Sequence, residues 1–131
     1  MSELEREFHG KTAAHCFKAW DFMDKKARSD GDNLQMLYLS HASRNHWGLV
    51  GTPRSRAVGE WQISRIYVTL GQPRLALGFA RACLTTCKDN GLSDILHTAH
   101  EAMARANAIA QDYQRARPGK IWTKPGHILT D

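Results

Sequence analysis

The chain has 131 residues, of which 42% are hydrophobic and 24% charged, and this composition predicts one soluble globular domain. Its apolar runs are much shorter than the ~20 residues that span a bilayer, which argues against a transmembrane helix. The first seven residues, MSELERE, are acidic and lack the apolar core of a secretory signal. The sequence therefore predicts a cytoplasmic protein.

The charge and the cysteines narrow the function classes further. The formal net charge is +5, but the basic residues are scattered along the chain rather than gathered in one stripe. This pattern favours a mixed surface over nucleic-acid binding. The three cysteines, Cys16, Cys83 and Cys87, are an odd number, which indicates free thiols in a reducing compartment. Cys83 and Cys87 share one helix face, where buried cysteines behave as small hydrophobes.

Two helices are predicted in the first third of the chain. The first begins with a capping box of Ser2 and Glu5. Gly10 weakens the middle of this helix, and the helix is expected to end near Arg28, before the turn-forming residues 29–32. The second is predicted over residues 33–47, before a glycine-containing connector at 48–51. Their apolar stripes, expected to face the core, are Leu4, Phe8, Cys16, Trp20, Met23 and Ala27 in the first and Leu34, Leu37, Tyr38 and Ala42 in the second.

Further helices follow after clear start and stop signals. The third helix begins with Thr52 and a following proline and ends at Gly71. The fourth helix begins at Pro73 and ends at residues 90–91. Ser93 is the expected cap of the fifth helix, and residues 111–112 are the expected turn before a short sixth helix over 113–117. The predicted fold class is all-α, with antiparallel helical hairpins in a single domain over residues 1–117 and an irregular tail over 118–131.

Two stretches of the chain, residues 61–76 and 101–116, align at an offset of 40 residues. The alignment sets Arg65 on Arg105 and Ala76 on Ala116. The first stretch resembles the tetratricopeptide repeat. The positions that carry this resemblance are Ile63, Ser64, Tyr67, Gly71, Ala76, Cys83 and Leu84. In the second, weaker copy, Asn107 replaces the aromatic residue and Gln111 the glycine. The resemblance implies hairpins stacked as a short tetratricopeptide-like right-handed superhelix.

A second resemblance concerns residues 46–51, HWGLVG, and 59–65, GEWQISR. Both segments are similar to a set of uncharacterised bacterial proteins with tetratricopeptide-like helices. That similarity implies the helical fold and no particular activity.

The tetratricopeptide resemblance also implies a binding face for a protein or peptide partner. In such repeats the first helices line a concave side, and their outward positions in this chain are Trp61, Arg65, Thr69, Thr98, Glu101 and Arg105. A tryptophan beside arginines is suited to anchor a peptide or an acidic terminus. Two alternatives stay open: Trp61 packs against the first helix pair, and Glu101 pairs with Arg105 on its own helix.

Catalytic and metal-binding patterns are weak. His97 and His100 share a helix face and could meet Cys83 or Cys87, but Ala104 stands where H-E-x-x-H needs its last ligand. His46, at a helix end, is expected to interact with terminal carbonyls. The sequence therefore assigns no catalytic residue, metal ligand or cofactor, and predicts a non-catalytic binding module. Uncapped repeats expose apolar ends, so a homodimer is expected. The alternative is a small metal-dependent protein or enzyme with a His/Cys cluster.

Overall fold

The computed structural model describes residues 1–116, so the predicted tail lies outside the described residues. The elements are α1 (Glu3–Cys16), a 3₁₀ turn (Phe17–Ala19), α2 (Trp20–Met23), α3 (Asp30–Val50), α4 (Pro53–Thr69), α5 (Pro73–Asp89) and α6 (Leu96–Ala116). This described part contains helices and no strand, which confirms the all-α class. Each long helix packs against the next along the chain, and α6 also contacts α4. No helix within residues 1–116 has the length and apolarity needed to cross a membrane.

Capping boxes begin three of the helices. Ser2 caps α1 and Thr52 caps α4, as predicted. Ser29, which the sequence placed in a turn, instead caps α3: its hydroxyl accepts a hydrogen bond from the backbone N–H of Asp32, at 3.1 Å. The Asp32 carboxylate accepts one from Lys25, and this contact is the largest cause of its lowered pKa. The second long helix therefore begins three residues earlier than predicted.

The prediction of one helix from the N-terminus to Arg28 is wrong. The helix changes to a 3₁₀ turn after Cys16, and α2 ends at Met23. There the guanidinium of Arg28 folds back and donates to the backbone oxygen of Met23, at 3.1 Å. Gly10, by contrast, lies inside α1 without interrupting it.

The first half of α1 does not face the core. Leu4 and Phe8 are 76% and 61% exposed, although the sequence pattern placed them on the buried stripe. The buried residues of α1 are Ala13 and Cys16, in its second half. Helix α3 packs against this second half, so the predicted stripe is buried only where a neighbouring helix covers it.

Helix α3 buries the predicted stripe only in part: Leu37 packs against the core. Leu34 and Tyr38 are exposed, whereas Met36, Ser40 and Ser43 are buried. The Ser43 hydroxyl donates to the backbone oxygen of Ala13, at 2.7 Å. The small side chain of Ser43 allows α1 and α3 to approach closely, and a pattern weighted by hydrophobicity overlooks such a residue.

The α4–α5 hairpin has the close contact that the sequence predicted. Gly71 adopts the left-handed conformation, with φ +69°, between the two helices. Ser64 and Ala76 are buried, and the Ser64 hydroxyl donates to the backbone oxygen of Ala76, at 2.8 Å. Tyr67 stacks on Phe79 of α5, with ring centroids 5.8 Å apart. The repeat-like positions therefore lie at the contact between the paired helices.

Helix α6 is longer than predicted. The expected turn at residues 111–112 is wrong, because α6 continues to Ala116. Arg115 donates to Asp112 and Gln111, three and four residues earlier, and such pairs stabilise a helix. At the other end Ser93 lies in a turn and the helix begins at Leu96 rather than directly after Ser93.

A partly buried ion pair, whose carboxylate is buried, joins the three middle helices. Two nitrogens of Arg44 on α3 donate to Oε2 of Glu60 on α4, at 3.2 and 3.0 Å, and Thr86 on α5 donates to Oε1, at 2.8 Å. Glu60 is only 6% exposed. Beside it, a Cβ at Gly59 would lie 3.4 Å from Cα of Arg44 and closer still to its side chain. Gly59 therefore permits the approach of α3 and α4 that the ion pair requires.

Candidate functional site

A small apolar cavity lies where α4 and α6 meet over α5. Its volume is about 230 Å³. The residues that line it are Ala57, Val58, Trp61, Cys83, Ile95 and Thr98. We call this cavity, together with the charged side chains of Arg65, Glu101 and Arg105, the α4–α6 groove. Two of the six predicted site residues, Trp61 and Thr98, therefore line one cavity.

Trp61 has two roles in this groove. Its ring lies against Trp20 of α2, with centroids 5.1 Å apart, so it packs on the first helices as one alternative held. It also forms part of the cavity wall. Its indole Nε1 is buried and has no hydrogen-bond partner among residues 1–116. Buried tryptophan N–H groups usually find an acceptor, so an unpaired one is uncommon in a folded domain.

The charged side chains lie further along the same two helices. Arg105 donates to Oε1 of Glu101, at 2.7 Å, as one of the two open alternatives held, and this contact is the largest cause of the lowered pKa of Glu101. Arg65, one turn after Trp61, makes no hydrogen bond or ion pair through its guanidinium with any other described residue. Burial lowers the pKa of Arg65 most, and the charge of Arg105 lowers it further, while Glu101 opposes the shift. The carboxylate of Glu101 is therefore paired with Arg105, and Arg65 lies near this pair without joining it.

The remaining predicted residue, Thr69, is less closely connected to the groove. It lies exposed in the last turn of α4, and its hydroxyl donates to the backbone oxygen of Arg65, at 3.1 Å. That hydroxyl is therefore used within its own helix. The groove is better described by Trp61, Thr98, Arg65, Glu101 and Arg105.

The cysteines are not placed for nucleophilic chemistry. Cys83 and Cys87 are buried, as predicted, and burial is the largest cause that raises the pKa of Cys83 to about 12. Burial also raises the pKa of Cys87. Both thiols are therefore protonated at neutral pH, and a thiol is a much weaker nucleophile than a thiolate.

The His/Cys set considered from the sequence is divided between surface and interior. His97 and His100 are exposed on α6, whereas Cys83 and Cys87 are 2% and 1% exposed. In the described ranges, no group of three or more His, Cys, Asp or Glu side chains is arranged to hold a metal ion.

Two side-chain clusters escaped sequence reasoning. His9 and His46 lie with their Nδ1 atoms 2.7 Å apart, so His46 contacts another imidazole rather than the expected terminal carbonyls. His41 Nε2 and the Tyr67 hydroxyl are 3.0 Å apart, and partial burial lowers the pKa of His41 and raises that of Tyr67. The paired residues are 37 and 26 positions apart, so no local spacing indicates either contact.

Comparison with known proteins gives no match for this chain: no protein-family model matches it, and neither a curated protein nor a solved structure is significantly similar to it. The function must therefore be inferred from the chemistry of the groove itself. That chemistry combines an apolar cavity with the Arg105–Glu101 ion pair and with the nearby guanidinium of Arg65.

Proposed function

We propose that the protein is a non-catalytic helical-repeat module that binds a protein or peptide segment in the α4–α6 groove. The observation that carries this proposal is Arg65, a partly buried guanidinium that makes no ion pair in the described part of the chain and faces the charge of Arg105. A cation in this setting is stabilised by an incoming anion. The adjacent cavity supplies the apolar contact that gives a peptide side chain its anchor.

The helix contacts support a stacked arrangement of hairpins. Helices α4 and α6 pack against one another and both contact α5. This is the relation between the first helices of consecutive tetratricopeptide repeats, and we extend the proposal to a right-handed superhelix of that kind. In such a stack the groove lies on the face formed by first helices.

The ligand chemistry follows from the groove. An apolar side chain would fill the cavity, while a carboxylate, from an acidic residue or a chain terminus, would pair with Arg65. Charge-assisted hydrogen bonds of this type contribute about 1.5–3 kcal/mol. We therefore expect binding to weaken as salt is added, because part of the attraction is between charges near the surface.

The test is a panel of short peptides that end in an apolar residue, each made with a free and with an amidated C-terminus. We expect free-carboxylate peptides to bind the wild type, and Arg65→Ala to weaken that binding at least about ten-fold, which corresponds to 1.4 kcal/mol. Trp61→Ala combined with Arg65→Ala should abolish it. Arg81→Ala, which removes an exposed arginine of α5, is the matched control and should bind normally. Equal binding by wild type and the double variant would show that the groove is not the site.

We also propose that the protein self-associates and acts in the cytoplasm. Three cysteines without disulfides suit a reducing compartment. The exposed apolar residues Leu4, Phe8 and Leu49 lie on α1 and α3, the first long helices of the stack, where a second copy can cover them.

Light scattering of the full chain is expected to report a dimer, because these apolar side chains have no covering helix in the described part of the protein. Leu4→Ser combined with Phe8→Ser should shift the population to monomer without loss of helix content. A wild type that is monomeric at high concentration would contradict self-association.

A further inference from the structure

The contact between His9 and His46 joins two helices through their imidazole rings. The Nδ1 atoms are 2.7 Å apart, the ring centroids 4.9 Å apart and the ring planes inclined by 32°. Both side chains are partly buried. The ring of Phe8 meets both imidazoles edge-on, at 5.4 and 6.3 Å. Such a short separation requires that one Nδ1 carries a proton and the other accepts it.

A hydrogen bond between α1 and α3 fixes the relative position of the two helices that carry His9 and His46. One helical turn further into the molecule, Ser43 of α3 donates to the backbone oxygen of Ala13 of α1, at 2.7 Å. Ser43 is three residues before His46, and Ala13 is four residues after His9. The pair is therefore positioned by a buried hydrogen bond between the same two helices. This positioning reduces the conformational entropy that is lost when a ligand brings the two rings together.

We propose that His9 and His46 form a binding site for one divalent late-transition-metal ion, Cu²⁺ or Zn²⁺, through their two Nδ1 atoms. The ion takes the place of the shared Nδ1 proton, and the histidine that carried this proton becomes protonated at Nε2 instead, so both imidazoles bind as neutral ligands through Nδ1. Water molecules complete the coordination shell. Imidazole nitrogens suit both ions, and Cu²⁺ binds such a site more tightly than Zn²⁺.

The distances agree with this assignment. With metal–nitrogen bonds of ~2.0–2.1 Å, two ligand atoms are about 3.4 Å apart in a tetrahedral site and about 2.9 Å apart at right angles. The present separation of 2.7 Å needs an opening of only a few tenths of an ångström for the right-angled arrangement that Cu²⁺ prefers. The ring centroids are 4.9 Å apart, so the imidazoles meet nearly end to end, and each ring must also turn about its side-chain torsions to aim its Nδ1 lone pair at the ion.

A carboxylate that interacts electrostatically with His9 is already engaged elsewhere. Glu5 precedes His9 by one turn, and its carboxylate accepts the backbone N–H of Ser2 in the capping box, at 3.1 Å. Hydrogen bonds from Ser2 are the largest cause of the lowered pKa of Glu5, and the charge of His9 adds to them. The site is therefore a two-imidazole clamp that needs no change at the helix cap.

The consequence for the fold concerns the start of α1. Residues 1–8 are all exposed, so His9 is the first side chain of α1 that is partly covered. A metal ion between His9 and His46 would fasten this end of α1 to α3. Because the unfolded chain does not hold the two histidines together, binding favours the folded state.

The experiment titrates Cu²⁺ or Zn²⁺ alone into the full chain without a histidine tag, by calorimetry and, for Cu²⁺, electron paramagnetic resonance. We expect one ion per chain and a Cu²⁺ spectrum with two imidazole nitrogens. His9→Ala and His46→Ala should each weaken binding at least about ten-fold. His15→Ala, at an exposed position of α1, is the matched control. Unchanged binding by His46→Ala, or loss of binding in the His97→Ala, His100→Ala double variant, would overturn the assignment.

A second readout separates a metal site from a purely structural hydrogen bond. Saturating Zn²⁺ should raise the melting temperature of the wild type by several degrees and slow amide exchange in α1. Neither effect should occur in His46→Ala, whose circular dichroism should match that of the wild type. Equal stabilisation of both proteins by Zn²⁺ would contradict the proposal.

Discussion

Replacement of Glu60 by alanine is expected to lower the free energy of unfolding by about 2 kcal/mol, because it removes the buried acceptor of three hydrogen bonds, although the remaining Arg44 side chain is partly exposed to water. Glu60 accepts two hydrogen bonds from Arg44 and one from Thr86. Its removal therefore leaves both the α3 donor and the α5 donor without an acceptor. A urea titration monitored by circular dichroism measures the change.

Two comparison variants test whether burial is the reason for this effect. Glu7→Ala removes an exposed carboxylate that pairs with Lys11, and it should leave the unfolding midpoint almost unchanged. Arg44→Met combined with Glu60→Leu replaces the whole pair by apolar side chains and should be more stable than Glu60→Ala alone. If Glu60→Ala unfolds at the same urea concentration as Glu7→Ala, the buried pair does not stabilise the middle helices.

Ile66→Ala should be comparably destabilising, for a different reason. Ile66 is fully buried in a cluster with Ala19 and Met36, which joins the 3₁₀ turn, α3 and α4. Truncation of such a side chain removes buried apolar surface and leaves a cavity, at a cost of about 3 kcal/mol. For a domain of this size the melting temperature should fall by roughly 10 °C. Differential scanning calorimetry measures this shift directly.

The control for Ile66 is Leu34→Ala, since Leu34 is 49% exposed on α3. Its truncation removes a similar number of atoms from a position with few contacts, and the melting temperature should change little. A comparable fall in both variants would mean that the cluster around Ile66 is not a well-packed part of the core.

Helix starts were predictable from the sequence because capping is local chemistry. Ser2 and Thr52 each lie within three residues of the backbone groups that they satisfy, so their roles can be identified without the fold. The same logic could have identified Ser29 with Asp32, but the turn-forming composition of residues 29–32 outweighed it. Gly71 was predictable for a similar reason, because its left-handed conformation is a property of a single residue.

Helix faces were harder to predict because burial depends on neighbours. Ser40 and Ser43 are buried and Tyr38 is exposed, which reverses what their hydrophobicity indicates. Arg44 and Glu60 are polar residues sixteen positions apart, and only the packing of α3 on α4 brings them together. A single sequence contains no signal for such a contact.

The candidate site was predictable in part. Alignment of the two repeat-like stretches placed Arg65 and Arg105 at equivalent positions, and in the structure both are close to Glu101. The cavity beside Trp61 could not be anticipated, because its wall includes Cys83 of the intervening helix and Ile95, which lies before α6. The clamp of His9 and His46 likewise depends on where α1 meets α3.

The tight crossing at Gly59 has a consequence for detecting distant relatives of this chain. Three residues depend on one another here: Arg44, Gly59 and Glu60. A larger residue at position 59 would clash with the Arg44 side chain, and Arg44 forms its ion pair with the carboxylate of the adjacent Glu60. Substitution of any one of them disfavours the other two, so the three should be inherited as a set. An arginine followed fifteen residues later by a Gly-Glu dipeptide, inside two consecutive helices, is therefore a compact signature with which to search genomes where overall similarity has faded.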